Sequence, residues 1–307
     1  MNIVPLPHAD FFDQIEPLDH DLEKVQIAFP SPFLTASIAS FLMWQDEFLY
    51  ADASLGNTRF LIAHYDKYAY LPAPPQPLTP ASLETAFIYL KKVNGPGRGI
   101  SRIEGLSESQ KKRVEAWGFP TRPTLTEYVY DRAKLAALAG DAYRAKRAEV
   151  NHLVKHQAVL FRPYRQSDLS ACGDLFESWK NQRLPHLKGE MGEKMLLASQ
   201  RAHFRALKQG EAWGLKAWVV FIEKRLAAYT VGAPLDDGTF GVYLEVADLT
   251  IKGLSAYIFQ NLCRQMDSYA FVNTGDAEGL PKLAESKDHW HPVRKLPVFA
   301  VDPPSRG

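Results

Sequence analysis

The same order of predicted elements occurs twice along this chain of 307 residues. Apolar periodicity and turn residues predict three strands, a helix, a strand, a helix and a strand in each half, over residues 48–130 and 215–301. Ser107, followed three residues later by Gln110, forms a capping-box pattern at the start of one of these helices. Because a single core rarely grows beyond about 250–300 residues, the repeat predicts two domains of similar design.

Helical patterns fill the stretch between the two halves. We therefore predict an α+β protein with an N-terminal domain at residues 1–132, a connecting helical segment at 133–156 and a C-terminal domain at 157–307. A further helix is predicted from Pro32 to Trp44, since proline suits the first helical position. Another helix, which begins after Thr79, is expected to end at Gly95-Pro96-Gly97.

The predicted order of strands and helices is similar to that of the GNAT fold. The resemblance implies two tandem mixed-sheet domains in which two central parallel strands diverge and leave a cleft for an acyl carrier. Where a strand leads into a helix, free backbone N–H groups and the helix dipole suit a phosphate. A ligand site is therefore expected at the carboxyl ends of the central strands.

Composition excludes several classes of function. A net charge of +1 gives no general surface for DNA, and no uncharged apolar run approaches the roughly 18 residues of a transmembrane segment. Cys172 and Cys263 are far apart without a partner motif, which favours a reducing, cytoplasmic compartment. His152 and His156 have the spacing of two metal ligands but lack a third, so no metal site is predicted. A tightly bound cofactor is not expected either.

Positive charge is concentrated in one segment. Between Arg132 and Arg165, eight Lys or Arg residues accompany two acidic residues, which on a neutral protein predicts a localised anionic ligand. Arg147 and Asn151 are four residues apart and share a helix face, and a guanidinium with an amide suits a phosphate. The alternative is a solvated helix between two domains.

Glu245 lies near the carboxyl end of an apolar predicted strand. Burial of a carboxylate raises its pKa towards that of a general base. The alternatives are an exposed glutamate on the open face of the sheet and one paired with a neighbouring arginine. Asn273 and Asp276 end a later strand and open a turn, where both residue types also serve as turn residues.

Four segments resemble the C-terminal synthase domain of phosphatidylglycerol lysyltransferases and its stand-alone relatives. Together they extend from Glu127 to the end of the chain. They are Glu127-Tyr128-Val129-Tyr130-Asp131 with Leu135, Leu138 and Gly140; Tyr143, Lys146, Arg147 and Asn151; Thr230 and Gly232 with Glu245-Val246-Ala247-Asp248; and Val272-Asn273, Asp276, Gly279-Leu280, Lys287 and Pro292.

This resemblance implies transfer of an aminoacyl group from an aminoacyl-tRNA, in which the amino acid is activated as an ester, to an amine or hydroxyl. The partners implied are tRNA and an acceptor that is a lipid head group, a peptide or a small amine. Glu245 and Asp276 are the predicted catalytic residues. The residues expected to bind the donor and its phosphates are Lys146, Arg147, Asn151, Asn273 and Lys287. We expect Glu245, Asn273 and Lys287 to lie together in one cleft of the C-terminal domain.

Three positions depart from the family pattern. Ala148, Val246 and Pro281 stand where the family has Asn, Lys and Arg. The acetyl-CoA signature of ordinary GNAT enzymes, Q/R-x-x-G-x-G/A, keeps only Gly253 of its glycines and lacks the leading cation. Two alternatives therefore remain, an acyl-CoA N-acyltransferase and a catalytically silent protein that uses the cleft as a ligand sensor.

Overall fold

A computed structural model of the chain describes residues 8–18, 29–95, 100–184 and 189–304. The chain divides into two units, one formed by Met1–Thr126 with Leu296–Gly307 and the other by Glu127–Lys295. No helix in the described ranges is long and apolar enough to cross a membrane. The domain boundaries predicted at residues 132 and 156 stay predictions.

The first unit contains a sheet of four antiparallel strands in the order β1-β2-β3-β4. Strand β5 pairs with the end of β12, which lies beside the beginning of β6. The elements are β1 (Gln14–Pro17), α1 (Ile38–Met43), β2 (Leu49–Leu55), β3 (Thr58–Tyr65), β4 (Tyr68–Tyr70), α2 (Pro80–Asn94), β5 (Ile103–Leu106) and α3 (Glu108–Ala116), with residues of β6 (Thr121–Asp131) and β12 (Arg294–Val301).

The helix starts of the first unit follow from local side chains. Ser107 and Gln110 form the predicted capping box, with the Ser107 N–H 2.9 Å from Gln110 Oε1. The helix predicted to begin at Pro32 begins instead at Ile38, the first residue of α1, so the predicted start is wrong. Ser37 is the N-cap of α1, and its hydroxyl oxygen accepts a hydrogen bond from the Ser40 N–H. Helix α2 ends at Asn94 with Gly95 as its C-cap, as predicted, and the other two residues of the predicted stop, Pro96 and Gly97, lie outside the described residues.

The second unit contains the ends of β6 and β12 that are not in the first unit and all elements between them. Its strands follow the order β6-β11-β10-β9-β8-β7, and the pairing is antiparallel except between β10 and β11. The elements are α4 (Arg132–Ala137), α5 (Arg144–His156), β7 (Val159–Pro163), α6 (Leu169–Arg183), α7 (Gly189–Gln209), β8 (Lys216–Ile222), β9 (Arg225–Pro234), β10 (Thr239–Ala247), α8 (Leu254–Gln265), β11 (Phe271–Asn273) and α9 (Pro281–Asp288).

Helices cover both faces of this second sheet. On one face Trp218, Phe240 and Val272 pack with buried residues of α4, α5 and α8. On the other face Tyr229 of β9 bonds to His203 of α7, with 2.8 Å between the phenol oxygen and Nδ1. The α+β class is thus confirmed.

Helix α8 begins against the backbone of α5. Gly253 caps the helix with φ at +85°, in the left-handed region, and a Cβ at this position would overlap the carbonyl group of Glu149. Two constraints therefore favour glycine here, the backbone conformation and the lack of space.

We expect Gly253→Ala to destabilise the fold more than Gly140→Ala. Gly140 has nearly the same φ, +82°, but open space around its Cα, so this change adds only left-handed strain, about 1–2 kcal/mol. The change at Gly253 adds the overlap with Glu149, typically a further 1–3 kcal/mol for overpacking. Urea unfolding of both variants measures the difference, and equal losses would contradict the close contact.

Candidate active site

The parallel strands β10 and β11 separate at their carboxyl ends. Residues 239–241 of β10 pair with residues 271–273 of β11, where β11 ends. Strand β10 continues to Ala247 and over this stretch pairs with β9. Beyond Gly241 and Asn273 the two strands are no longer paired; we call this place between them the opening, and Glu245 lies on its β10 side.

A β-bulge determines the face from which Glu245 projects. The pairing with β9 skips one residue between Val242 and Leu244, so that Glu245 lies opposite Thr230. Thr230 in turn pairs with Trp218, whose side chain packs with α8. Because a bulge shifts the alternation of side chains by one residue, Glu245 projects towards α8.

Glu245 is half-buried and has an unusual pKa. The Ser255 hydroxyl, in the first turn of α8, donates to Glu245 Oε1 over 3.2 Å. Burial raises the pKa of Glu245 to about 7, against the opposing effects of the Ser255 hydrogen bond and the Lys287 charge. A carboxyl group with this pKa exchanges a proton near neutral pH, as a general base requires.

Lys287 extends from α9 towards the end of β11. Its Nζ donates to the carbonyl oxygens of Thr274, at 2.6 Å, and Gly275, at 3.3 Å. It lies 5.6 Å from the centre of the Tyr128 ring. Burial lowers the pKa of Lys287 to about 8, while nearby carboxylates, Glu245 among them, oppose that shift. Glu245 and Lys287 therefore interact electrostatically.

Asn273 does not join this pair. It follows Val272, which packs with α8, so its side chain projects to the other face of the sheet. Its Nδ2 donates to Glu127 Oε2 over 2.7 Å, and its Oδ1 accepts from the Gly275 N–H. The expected convergence of three residues is thus limited to Glu245 and Lys287, because strand alternation separates Asn273 from them.

Glu127 is the polar residue that the sequence analysis did not single out as part of a site. Its side chain is 0% exposed, and its carboxylate interacts with Lys287. The signal in the sequence was its position at the start of the first family-like segment, directly before the run Tyr128-Val129-Tyr130. A buried carboxylate in a strand needs partners, and Asn273 is one of them.

Asp276 lies in the turn after β11. Its Oδ2 accepts a hydrogen bond from the Glu278 N–H over 2.8 Å, which stabilises the turn. The same carboxylate is close enough to Lys287 to oppose the lowering of its pKa. Asp276 therefore has a structural role and contributes to the charge around Lys287.

The predicted phosphate-binding residues of α5 divide between two locations. Lys146 lies 3.7 Å from Glu149 and 5.1 Å from the centre of the Trp290 ring. Arg147 donates to the carbonyl oxygens of Leu138 and Gly140, just after α4. Arg147 and Asn151 line a groove with helices α4 and α8.

The diverging strands of the second unit and the order of its elements define a protein of the tandem GNAT-like acyltransferase fold. A tandem GNAT protein from the clavulanic acid biosynthesis pathway is 11% identical, with a TM-score of 0.52 over 95% of this chain and 99% of that one. A conserved protein of unknown function from Bacteroides thetaiotaomicron VPI-5482 is 19% identical, with a TM-score of 0.81 over 94% and 98%. L-PGS from Bacillus licheniformis is 15% identical, with a TM-score of 0.65 over 95% and 94%. At these identities the likeness establishes the fold.

The sequence establishes the family. The profile of the phosphatidylglycerol lysyltransferase C-terminal family matches residues 36–302. The chain therefore belongs to this family. A comparison with curated proteins gave no match.

We expect Asn273→Ala to lower the free energy of unfolding by about 1–3 kcal/mol, because Glu127 would lose a buried hydrogen-bond donor. Asn151→Ala is the matched control. Asn151 is exposed, so this change should alter the free energy of unfolding by no more than about 0.5 kcal/mol. Urea unfolding measures both. Equal stability of the two variants would contradict the structural role of Asn273.

The raised pKa of Glu245 should make the free energy of unfolding depend on pH. Its folded-state pKa, about 7, lies above the ordinary value of 4.5, so its contribution is fully present below pH 4.5 and is lost as pH rises through 7. Relative to Glu245→Gln, the wild type should therefore lose about 1–2 kcal/mol between pH 4.5 and 8, after allowance for solvent screening. Denaturant unfolding at the two pH values measures this difference. Parallel pH dependences of the two proteins would contradict the raised pKa.

Proposed function

We propose that this chain transfers an aminoacyl group from an aminoacyl-tRNA to an amine or hydroxyl of a lipid head group, a peptide or a small amine. The observation that supports this best is the half-buried Glu245, with a pKa near 7, at the opening between β10 and β11. We further propose that the reaction takes place in the cytoplasm and needs no tightly bound cofactor.

Glu245 acts as the general base. The acceptor nucleophile loses its proton to the carboxylate as its nitrogen or oxygen forms a bond to the ester carbonyl carbon. The ester C–O bond then breaks, and the leaving ribose oxygen takes up a proton, for which protonated Glu245 is the donor. The Ser255 hydroxyl orients the carboxylate through its hydrogen bond.

Lys287 provides the positive charge of the site. Its ammonium is fixed by the carbonyl oxygens of Thr274 and Gly275 and is coupled electrostatically to Glu245. A fixed cation in a partly desolvated site stabilises negative charge that develops on the reacting carbonyl or on a donor phosphate. Asp276 moderates this charge from the adjacent turn.

The start of α8 favours an aminoacyl ester over acyl-CoA as the donor. In acetyl-CoA enzymes of this fold the glycine signature brings backbone N–H groups to the pyrophosphate. Here the carbonyl group of Glu149 lies against Gly253, and Asp248 accepts the Thr250 N–H at 3.0 Å. Asp248 is paired with Arg225 at 2.9 Å. The carbonyl oxygen of Glu149 is therefore the group that disfavours a pyrophosphate beside Gly253, by electrostatic repulsion.

The test is transfer of labelled amino acids from total aminoacyl-tRNA to phosphatidylglycerol vesicles or to added amines, with labelled acetyl-CoA as a parallel donor. We expect transfer from aminoacyl-tRNA, and a loss of about 10²–10⁴-fold in Glu245→Gln. Glu211→Gln changes an exposed glutamate outside the opening and should keep the wild-type rate. Transfer from acetyl-CoA alone would overturn the choice of donor, and full activity of Glu245→Gln would overturn the role of that residue.

The rate of transfer should depend on pH with a maximum between the two pKa values. Glu245 must be deprotonated to accept a proton, which requires a pH above about 7. Lys287 must be protonated to supply its charge, which requires a pH below about 8. In Lys287→Gln the alkaline decrease should disappear while the acid decrease remains, as single-turnover rates across pH 5–9 would show. An unchanged profile in this variant would contradict the role of Lys287.

A further inference from the structure

A groove between α4, α5 and α8 has the features of a second binding site. Its volume is about 260 Å³, close to the lower limit of small-molecule pockets, about 300 Å³. Arg147 and Asn151 of α5 and Tyr257, Gln260 and Arg264 of α8 line it. The residues proposed to perform transfer are not part of its lining in the described chain.

Two arginines are fixed at this groove by the end of helix α4. Arg147 donates to the carbonyl oxygens of Leu138 and Gly140, and Arg264 Nε donates to that of Ala136 over 3.2 Å. Neither guanidinium forms an ion pair with a carboxylate of the described residues. Each guanidinium has five N–H donors, so donors remain for an anion.

Gln260 adds a hydrogen-bond acceptor. The side chain is 4% exposed, and its Nε2 donates to the Ala136 carbonyl oxygen over 3.0 Å. Within the described part of the chain, its Oε1 has no hydrogen-bond partner. A buried acceptor in this state is costly unless a donor reaches it, and a ligand with an O–H or N–H group would supply one.

The remaining surface of the groove is apolar and aromatic. Val154 is 54% exposed and lines the groove beside Val150 and the half-buried Tyr257. An inorganic anion would use only the guanidinium groups. A ligand with a phosphate, hydroxyl or amino donors and a flat ring would use all three parts of the surface.

We infer that this groove binds a nucleotide. The phosphate lies between Arg147 and Arg264, a ribose hydroxyl or base amino group donates to Gln260 Oε1, and the base covers Tyr257 and Val154. The assignment of this nucleotide to the RNA of the donor rests on the proposed function, whereas the site itself rests on the groove.

Calorimetric titration of the full chain with AMP, adenosine and inorganic phosphate tests the inference. We expect AMP to bind at least roughly tenfold more tightly than adenosine or phosphate. Asn151→Asp, which places a carboxylate in the groove at an exposed position, should weaken AMP roughly tenfold, and Arg264→Gln should do the same. Arg144→Gln changes an exposed arginine of the same helix outside the groove lining and should leave AMP binding within about twofold.

The outcomes separate the groove from the transfer reaction. Equal affinity for AMP and phosphate, or AMP binding unchanged in both groove variants, would overturn the nucleotide site. If AMP binds as expected while the wild type transfers no aminoacyl group, the site stands and the proposed function fails. If transfer occurs without AMP binding, the proposed function stands and the groove inference fails.

Discussion

The parallel pairing of β10 with β11 is the constraint on which the site depends, because it ends after three residues on each strand. A sheet normally satisfies each strand with neighbours on both sides, and a strand that loses one neighbour leaves an opening at its edge. Here β9 continues to pair with β10 beyond the end of β11, so one side of the opening is a hydrogen-bonded strand. Glu245 lies on that strand, and the first turn of α8 supplies the hydroxyl of Ser255 to it. Because β11 is short, β10 is unpaired on this side from Val242 onwards, and Glu245 lies on this unpaired stretch.

The order of the elements could be predicted from the sequence, since apolar periodicity and caps such as Ser107 and Gln110 act over a few residues. The direction of side chains at the site could not. Alternation in a regular strand would have placed Glu245 on the face opposite to Val242, whereas the bulge after Val242 places both side chains on the face that packs with α8. Asn273 is separated from Glu245 for the same type of reason, because its face is set by pairing with Gly241. A bulge depends on the register with another strand, which a single segment of sequence does not encode.

The charges of the site depend on one another. Glu245 has a raised pKa and Lys287 a lowered one because each is partly removed from water, yet each favours the charged form of the other. A pair balanced in this way changes its protonation near neutral pH, where Glu245 has a pKa of about 7 and Lys287 one of about 8. Glu127, fully buried on the opposite face, adds a further negative charge that acts on Lys287 and is itself held by Asn273. The amide predicted to bind a donor thus supports the site indirectly, through the carboxylate that it binds.

Arg147 and Arg264, in the groove between α4, α5 and α8, combine a structural role with a proposed binding role. Helix α4 is short, and its last carbonyl groups have no partners within the helix, so donors from Arg147, Arg264 and Gln260 satisfy them. An arginine that only contacts a ligand is free to move until the ligand binds, whereas an arginine that caps a helix is held in place by the carbonyl groups of that helix. Capping fixes each guanidinium before any ligand arrives, and a fixed side chain loses less entropy when it binds a phosphate. The helix cap therefore makes anion binding at this groove more favourable, and the two interpretations of Arg147 reinforce each other.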